Sequence, residues 1–330
     1  MVDKLLSDFT NYSVLVIGDV MVDAYLNGDV GRISPEAPVP IVDVKERVYR
    51  LGGAANVALN LQSLGVNTLV CSVIGQDERA TLFEKLVSAH HLSTDFLCHS
   101  ETRKTTVKYR IIGNGRQMLR IDEENRHPLN PQEQEIFLQK IESLLQHQKI
   151  DAIIFEDYDK GVLTPTVIRE VVQMARQHGI LTAVDPKRRN FHHYQGVTLF
   201  KPNLKELREG LQFKAEGSLE EIEQLMRGFA KSNDIAYLFT TLSERGVALY
   251  QAESDEFYAQ PAYLRQISDV SGAGDTVIAV ATICLLAGLS PLQMSQIANL
   301  AGGIVCEYAG VTPIPLQKLS DEIHRNQILS

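Results

Sequence analysis

The stretch Ser13–Gly18 (SVLVIG) decides the fold class, because it is a short apolar run that ends in glycine and is followed by an acidic residue. Four comparable runs occur later in the chain, at residues 67–75, 151–156, 180–185 and 235–241. A short run that is apolar throughout is typical of a strand buried on both faces of a sheet. We therefore predict a strand at each of these places.

Amphipathic stretches separate these apolar runs. Apolar residues recur at helical spacing over residues 54–64, 78–89, 131–146, 164–178 and 219–232, which predicts a helix in each. Strands that alternate with helices are typical of a mainly parallel sheet covered by helices on both faces. The predicted fold class is α/β, a three-layer αβα sandwich.

Two segments depart from this alternation. Residues 25–49 are rich in proline, glycine and valine, and residues 103–121 contain a hairpin pattern around Gly113-Asn114-Gly115. We expect these segments to form the strands of a small β-sheet lid near the carboxyl edge of the main sheet. No stretch resembles a linker or an internal repeat, so residues 1–330 are predicted to be one domain.

The composition is that of a globular protein with a substantial core, since 44% of the residues are apolar and 22% are charged. The 41 acidic and 32 basic residues give a net charge of −9, which disfavours nucleic acid and anionic membranes as partners. The four cysteines occur singly, without a CxxC motif. This predicts reduced thiols instead of a metal site or disulfides.

Two further features predict a cytoplasmic protein with no membrane association. The most apolar stretch, residues 277–289, has 13 residues, whereas a membrane-spanning helix needs about 20. Asp3, Lys4 and Asp8 precede the first apolar run, unlike the start of a secretory signal.

Polar residues follow the predicted strands, at the edge where ligands bind in open α/β sheets. They are Asp19, Asp23, Glu156, Asp157, Asp185, Lys187, Asn203, Glu206, Thr240, Thr241 and Ser243. Any single one is as readily explained as a helix cap or a turn residue. Together, their carboxylates and amides indicate a metal-dependent or phosphate-handling cleft.

Residues 269–275 (DVSGAGD) give the sharpest local signal, because an apolar helix is predicted directly after them, at residues 276–289. The N–H groups of Gly272, Ala273 and Gly274, with the helix N-terminus, are suited to form an anion hole for a transferring phosphoryl group. Asp275 is then placed as the general base that takes the proton of an acceptor hydroxyl. The alternative is that Asp275 only caps the helix, and in either case the helix dipole should lower its pKa.

A second glycine motif, Gly52-Gly53 followed by Asn56, permits close approach of a ligand, and the Asn56 amide is suited to bind sugar hydroxyls. A plain tight turn into a helix explains this motif equally well. The chain contains no Gly-Lys pair, no GxGxxG after the first strand, no HExxH and no GxSxG. P-loop ATPases, standard dinucleotide enzymes, zincins and α/β-hydrolases are thereby disfavoured.

Five motifs, taken in order, resemble the ribokinase/PfkB family of carbohydrate kinases, and the resemblance spans nearly the whole chain. They are Gly18-Asp19 with Asp23, Gly52-Gly53 with Asn56, Asn203-Leu204-Lys205-Glu206, residues 241–246, and Gly272-Ala273-Gly274-Asp275. The resemblance implies a ribokinase-like fold and an ATP-dependent phosphotransferase that uses Mg²⁺.

The same resemblance implies roles for individual residues. The expected catalytic residues are Asp275, Gly272, Ala273 and Gly274. The expected substrate-binding residues are Asp19, Asp23, Gly52, Gly53, Asn56, Asp157, Lys187 and Arg110. The expected nucleotide-binding residues are Asn203, Glu206, Thr241, Ser243, Gly246, Asn299 and Gly302. Glu206 and Asn203 are expected to hold Mg²⁺ through water, and Asp269 to belong to a K⁺ site.

Within the family, the chain is most similar to kinases of D-glycero-β-D-manno-heptose 7-phosphate, through residues 32–40, 157–161, 185–187 and 269–271. This likeness implies transfer of the ATP γ-phosphate to the anomeric C1 hydroxyl, giving the 1,7-bisphosphate used for nucleotide-activated heptose and bacterial surface polysaccharide (LPS core). No H-x-G-H nucleotidyltransferase motif occurs, so a free-standing kinase is expected. Arg188-Arg189-Asn190 departs from the small residues that relatives carry there.

A phosphorylated acceptor requires a cationic pocket in this acidic protein. The candidates, each of which is otherwise a solvated charge, are Lys187, Lys104, Lys108, Arg110 and Arg120. Apolar residues on exposed lid strands predict a homodimer that pairs two lids; they are Val39, Ile41, Val42 and Val44. Two alternatives stay open at this point: a kinase of this family for another sugar or sugar phosphate, and a catalytically silent regulator that binds sugar or nucleotide.

Overall fold

The structure is a computed structural model that describes residues 2–213, 217–263 and 265–329. Its strands are β1 (Ser13–Gly18), β2 (Val20–Ile33), β3 (Pro40–Gly53), β4 (Asn67–Gly75), β5 (Leu97–Ser100), β6 (Val107–Gly113), β7 (Arg116–Glu123), β8 (Ala152–Glu156), β9 (Leu181–Asp185), β10 (Leu199–Phe200), β11 (Tyr237–Thr241), β12 (Val247–Gln251) and β13 (Glu256–Gln260). Its helices are α1 (Val2–Asp8), α2 (Ala54–Ser63), α3 (Glu78–Ala89), α4 (Pro131–His147), α5 (Pro165–His178), α6 (Leu204–Gly210), α7 (Leu219–Ser232), α8 (Ala273–Leu286), α9 (Pro291–Val305) and α10 (Leu316–Arg325).

The main sheet has the strand order β13-β12-β11-β10-β9-β8-β1-β4-β5. Neighbouring strands from β11 to β5 run parallel, whereas β12 pairs antiparallel with both β11 and β13. The mainly parallel sheet is therefore confirmed, and β1 and β4 have the predicted bounds. The carboxyl ends of β1, β8, β9, β10 and β11 lie along one edge.

Helices cover both faces of this sheet, and β1 shows why the strand is apolar throughout. Successive side chains of a strand point to opposite faces. Val14 and Val16 pack into one core with residues of α2, α8 and α9, while Leu15 and Ile17 pack into the other with residues of α4, α5 and α7. All four side chains are fully buried. The predicted three-layer αβα sandwich is confirmed.

A separate small sheet has the order β3-β2-β6-β7. Strand β2 begins at Val20, with only Asp19 between it and the end of β1, so the small sheet starts at the carboxyl edge of the main sheet. Asn114 and Gly115 have φ values of 52° and 75° and form the predicted hairpin turn between β6 and β7. Strands β2 and β3 extend beyond the predicted segment 25–49, because they stay paired as far as Val20 and Gly53.

Two expectations from the composition concern membranes and thiols. Throughout the described ranges, every helix is too short or too polar to cross a bilayer. The cysteines are free thiols, as predicted: Cys71, Cys98 and Cys284 are buried and Cys306 is half-buried.

Candidate active site

Three neighbouring strands of the main sheet bring acidic and basic side chains to one point. Glu156 ends β8 and Asp185 ends β9, and the two residues are direct partners in the parallel register. Lys201 directly follows β10, and its Nζ lies 2.8 Å from Asp185 Oδ2. Carboxylate oxygens of Glu156, Asp185 and Asp275 lie within 4.8 Å of one another, and all three side chains are buried.

Asp275 lies in the first turn of α8 and is held by two side chains. Asn56 Nδ2 donates to Asp275 Oδ2 at 2.7 Å, and the Tyr158 hydroxyl donates to Asp275 Oδ1 at 3.0 Å. Asn56 comes from α2 and Tyr158 from the loop after β8, so three segments fix the position of one carboxylate. The sequence predicts that Asn56 binds sugar hydroxyls, whereas its Nδ2 is bound to Asp275 in the structure.

The pKa of Asp275 is raised to about 6, chiefly because the carboxylate is buried. Nearby Asp185 raises this pKa further, while the donors Asn56 and Tyr158 and the charge of Lys201 lower it. The expectation that the helix dipole leaves Asp275 with a lowered pKa is therefore wrong. Removal of the carboxylate from water outweighs the favourable contacts and brings the group close to the pKa of an effective base.

The turn into α8 carries the two glycines of the predicted anion hole. Gly272 has φ +80°, a left-handed conformation that favours glycine, and a Cβ there would lie 2.9 Å from Asn56 Nδ2. A Cβ on Gly274 would lie 3.5 Å from Asp185 Oδ2 and 3.6 Å from Lys201 Nζ. Gly272 therefore lies beside the Asn56 amide that binds Asp275, and Gly274 lies beside the ion pair of Asp185 and Lys201.

Both carboxylate oxygens of Glu156 are buried and have no hydrogen-bond partner among the residues that the structure describes. Burial, and then the neighbouring Asp185, raise the pKa of Glu156 well above its usual range. A buried carboxylate without partners is costly unless a proton or a cation compensates it, and Mg²⁺ is bound in proteins by carboxylate oxygens. Glu156 therefore fits a divalent cation, and Asp185, whose oxygens pair with Lys187 and Lys201, lies beside it as a further carboxylate.

Asn203 and Glu206, the predicted magnesium residues, cap the start of α6. The Glu206 N–H donates to Asn203 Oδ1 and the Asn203 N–H donates to Glu206 Oε2, each at 2.8 Å. The other oxygen, Glu206 Oε1, lies 2.5 Å from Lys187 Nζ. Both Glu206 oxygens are thus engaged by protein groups, unlike those of Glu156.

Lys187, a predicted contact of the sugar phosphate, belongs to the carboxylate cluster. Its Nζ lies 3.3 Å from Asp185 Oδ1 and 5.3 Å from the centroid of the Tyr158 ring, in addition to its contact with Glu206. Burial alone lowers the pKa of Lys187, but Asp185, Glu206 and Glu156 raise it above its usual range. Lys187 therefore balances part of the negative charge of the cluster.

Asp19 and Asp157, two predicted substrate contacts, bind groups of the protein itself. Asp19 accepts hydrogen bonds from three backbone N–H groups of residues 158–162, at 3.0 to 3.1 Å. Asp157 Oδ2 accepts from Asn190 Nδ2 at 3.0 Å and from the Tyr194 hydroxyl at 2.8 Å. These bonds fix the loop after β8 in place. The bond to Asp157 also gives a structural reason for Asn190 at a position where the family pattern has a small residue.

Four other predicted substrate residues meet where the small sheet leaves the main sheet. Asp23 of β2 and Arg110 of β6 form an ion pair. Gly52 lies so close to Asp23 that a Cβ would come within 2.3 Å of Asp23 Oδ2. Gly53 ends β3 and pairs with Val20 at the start of β2. The structure thus brings these residues together.

Two of the candidates for a cationic pocket, Lys108 and Arg120, pair with carboxylates on or directly after β7. Lys108 Nζ lies 3.7 Å from Asp122 Oδ2 and 3.8 Å from Glu124 Oε2. Arg120 Nε lies 2.9 Å from Asp122 Oδ1. Lys104 is exposed. These cations lie on or beside the small sheet, and Lys187 lies apart from them at the end of β9.

Arg50, which the sequence analysis did not single out, joins the small sheet to the turn after α9. Arg50 Nη1 donates to the carbonyl oxygens of Ala309 and Val311 at 2.9 and 2.7 Å, and to Thr312 Oγ1 at 3.2 Å. Its guanidinium lies 5.4 Å from the centroid of the Tyr25 ring. The Arg50 side chain on β3 therefore binds three acceptor oxygens of residues 309–312, which are distant in the sequence.

Asp269, the predicted potassium residue, holds the same turn. Asp269 Oδ1 accepts from the Ser271 N–H at 2.9 Å, and Oδ2 accepts from the Gly310 N–H at 3.0 Å. Burial raises the pKa of Asp269, but these two hydrogen bonds and the charge of Arg110 bring it below its usual value. Asp269 thus connects the anion-hole segment to the turn that Arg50 binds.

A cavity of about 380 Å³ lies beside the start of α8. Its lining includes five of the seven predicted nucleotide residues and two residues of the predicted anion hole. They are Thr241, Ser243, Gly246, Asn299 and Gly302, with Ala273 and Gly274. Ile267 and Val270 also line it and are 67% and 66% exposed. Exposed apolar side chains along a cavity are suited to cover a flat, apolar ligand.

The profile of the "pfkB family carbohydrate kinase" matches residues 11–318. The chain belongs to this family. The family is one of carbohydrate kinases, phosphotransferases that act on sugars.

Curated relatives carry the name "Bifunctional protein HldE". The chain is 38% identical to the one from Koribacter versatilis over 314 residues, and 39% identical to the one from Methylobacillus flagellatus over 317 residues. Each alignment covers 95% of this chain, but only 63% and 64% of the relatives. The chain thus spans less than two thirds of the length of the relatives it matches.

Solved structures with the same fold include phosphofructokinase-2 from Escherichia coli in complex with potassium, with a TM-score of 0.79 and 16% identity over 96% of this chain and 98% of that one. Ribokinase from Arabidopsis thaliana, complexed with ribose and ATP, has a TM-score of 0.70 and 16% identity over 94% and 98% of the two chains. At these identities the likeness shows the fold, and the ribokinase-like prediction is confirmed.

The sequence analysis missed three features of this site. Tyr158 and Lys201 received no role, although each directly follows or lies close to the end of a strand at the ligand-binding edge. Glu156 and Asp185 were recognised only as members of a row of polar residues. The only signal in the sequence is that these residues follow predicted strands or lie near their ends. Such a position indicates that the residues lie at the same edge of the sheet, but it does not indicate which side chains bind one another.

Proposed function

We propose that this chain phosphorylates the anomeric C1 hydroxyl of D-glycero-β-D-manno-heptose 7-phosphate, using ATP and Mg²⁺, and forms the 1,7-bisphosphate. The observation that carries the phosphotransfer is Asp275, which is buried beside the Gly-Ala-Gly turn and held by Asn56 and Tyr158. The choice of acceptor is supported by the heptose-kinase motifs and by the identity to the HldE relatives over 95% of the chain.

In the proposed mechanism Asp275 takes the proton of the acceptor hydroxyl. The hydrogen bonds from Asn56 and Tyr158 orient its carboxylate, and its pKa of about 6 leaves it mostly ionised at neutral pH. The N–H groups of Gly272, Ala273 and Gly274 bind oxygens of the phosphoryl group during transfer. Phosphoryl transfer depends mainly on positioning and on stabilisation of charge, which these groups supply.

Glu156 and Asp185 would hold the divalent ion, and Mg²⁺ bound there would neutralise phosphate charge. Asn203 and Glu206 support this site from α6, because Glu206 fixes Lys187 beside Asp185. The cavity of about 380 Å³, which Gly274 helps to line, would take the adenosine part of ATP. A K⁺ site that includes Asp269 remains part of the proposal.

On the acceptor side, we propose that the small sheet is a lid over the sugar. Asp23, Arg110, Gly52 and Gly53 meet at its base, and Lys108 and Arg120 are positioned on its strands. In this proposal Asp19 and Asp157 act indirectly, by fixing the loop that carries Tyr158.

The acceptor is tested by the release of ADP from Mg-ATP with purified protein. Heptose 7-phosphate, fructose 6-phosphate, ribose and no acceptor are compared at equal concentration. We expect a strong preference for heptose 7-phosphate. Preference for another sugar would contradict the proposed acceptor but not the proposed mechanism of phosphoryl transfer. Absence of turnover with all of them would favour a catalytically silent binding protein.

The same small sheet is the proposed site of homodimer formation. The small sheet exposes apolar side chains that a partner would cover. They are Met118, Leu119 and Ile121 on the edge strand β7, Ile33 at the end of β2, and Val39 just before β3. Among the residues named in the sequence analysis, Val39 is exposed, whereas Ile41, Val42 and Val44 are half-buried. The solved structures of this fold include a tetrameric form of phosphofructokinase-2 from Escherichia coli.

A further inference from the structure

Lys201 is a buried lysine at the edge of the site. Only 2% of its surface is exposed, and its ammonium pairs with Asp185 at 2.8 Å. Burying an ammonium group is costly unless opposite charge and hydrogen bonds compensate it. Within the described ranges Asp185 is its only ion-pair partner, although a lysine ammonium has three N–H donors.

The ammonium of Lys201 lies next to the anion hole. A Cβ built on Gly274 would lie 3.6 Å from Lys201 Nζ, and Gly274 also lines the cavity proposed for ATP. The other buried lysine of the cluster, Lys187, is bound to Asp185 and Glu206 and stacks on the Tyr158 ring. Lys201 is therefore the lysine placed to meet a group bound at Gly274.

Apart from Lys201 and Lys187, the charged groups named around the hole are carboxylates. Burial raises the pKa of Glu156, Glu206 and Asp275, and the charge of Lys201 opposes that rise at each of them. A phosphoryl group brings further negative oxygens into this region. Fixed positive charge in a buried site stabilises such a group more than it would in water, because no solvent has to reorganise.

We propose that Lys201 is a catalytic residue that donates hydrogen bonds to the phosphoryl group during its transfer; this inference rests on the kinase mechanism proposed above. In that step the acceptor oxygen bonds to the γ-phosphorus while the bond between the γ-phosphorus and the β,γ-bridging oxygen breaks. The electron pair of the broken bond leaves with ADP, and the hydroxyl proton passes to Asp275. Lys201 keeps its protons and binds the phosphoryl oxygens.

The test replaces Lys201 by an uncharged side chain of similar length, in Lys201→Met. We expect kcat to fall about 10²–10³-fold, as it does when one oxyanion-binding donor is lost, with little change in the KM of the acceptor. Titration calorimetry should show about tenfold weaker binding of ATP, because a charge-assisted hydrogen bond to the γ-phosphate is lost. The affinity for ADP should stay unchanged.

The matched control is Lys140→Met on α4, where Nζ donates to the carbonyl oxygens of Asp95 and Leu97; it should resemble the wild type in every measurement. Equal losses of ATP and ADP affinity in Lys201→Met, or an unchanged kcat, would overturn the inference. If Lys201→Met does not fold, Lys201→Gln takes its place with the same criteria. Absence of turnover in the wild type would contradict the kinase proposal, while the comparison of ATP with ADP still decides the role of Lys201.

Discussion

At the scale of single residues, two opposing effects set the properties of Asp275. Its position in the first turn of α8 favours the ionised form, whereas burial favours the neutral form and raises the pKa to about 6. The sequence reveals the helix terminus, because the apolar run after the glycines is visible. It does not reveal how completely other segments cover the carboxylate.

Tyr158→Phe tests the orientation of Asp275. The variant loses the hydroxyl that donates to Oδ1 at 3.0 Å, so we expect kcat to fall about 10–100-fold, the equivalent of one hydrogen bond to a charged group. Because that bond lowers the pKa of Asp275, its loss raises the pKa further. In the wild type kcat/KM should fall as the pH drops through about 6, and in the variant this fall should begin at higher pH.

Tyr250→Phe is the matched control, since the Tyr250 hydroxyl donates to Asp255 at 2.7 Å on β12. Its pH profile should match that of the wild type. If kcat/KM falls at the same pH in the wild type and in Tyr158→Phe, the proposed role of Tyr158 is contradicted.

Gly274→Ala separates stability from activity at one position. The new Cβ would make ordinary contacts at 3.5 and 3.6 Å with Asp185 and Lys201, and alanine favours a helix by up to about 1 kcal/mol over glycine. Urea unfolding should therefore show a protein at least as stable as the wild type. Turnover should fall strongly, because the methyl group occupies space proposed for the phosphoryl group; full activity would count against that placement.

At the scale of elements, hydrophobic patterning predicted the strands that are buried on both faces. Strands β1 and β4 have the predicted bounds, and β8, β9 and β11 begin within two residues of the predicted position. Strand β10 was not predicted because it has only two residues, and β12 and β13 were not predicted as separate strands. The motif residues 272–275 were found from local spacing, but their partner Tyr158 lies 117 positions away and no local pattern connects the two.

Arg50 tests how the small sheet is attached to the rest of the molecule. Arg50→Ala removes hydrogen bonds from β3 to Ala309, Val311 and Thr312. We expect a loss of about 1.5–3 kcal/mol in the free energy of unfolding, as for hydrogen bonds made by a charged group, together with a higher KM for the acceptor. Urea unfolding and steady-state kinetics measure the two effects.

Arg47→Ala, an exposed position on the same strand, serves as the control and should leave both quantities unchanged. If Arg50→Ala unfolds at the wild-type urea concentration with an unchanged KM, the contact does not position the small sheet.

At the scale of the whole molecule, the exposed apolar strands of the small sheet predict a dimer. Leu119 of β7 is 56% exposed, and burial of this remaining surface in an interface would contribute about 1–1.5 kcal/mol per subunit. Light scattering should give the mass of a dimer for the wild type, and Leu119→Glu should shift it toward the monomer. A monomeric wild type at working concentration would refute this arrangement.

The most direct test of the central claim, that Asp275 is the base for phosphoryl transfer, is the kcat of Asp275→Asn. The substitution is nearly isosteric; it removes the negative charge and the capacity to take a proton, and it replaces one of the two acceptor oxygens that Asn56 and Tyr158 bind with an NH2 group. We predict a fall of about 10²–10⁴-fold, with the affinities for ATP and sugar phosphate close to those of the wild type. Near-normal turnover, with both ligands still bound, would contradict the account.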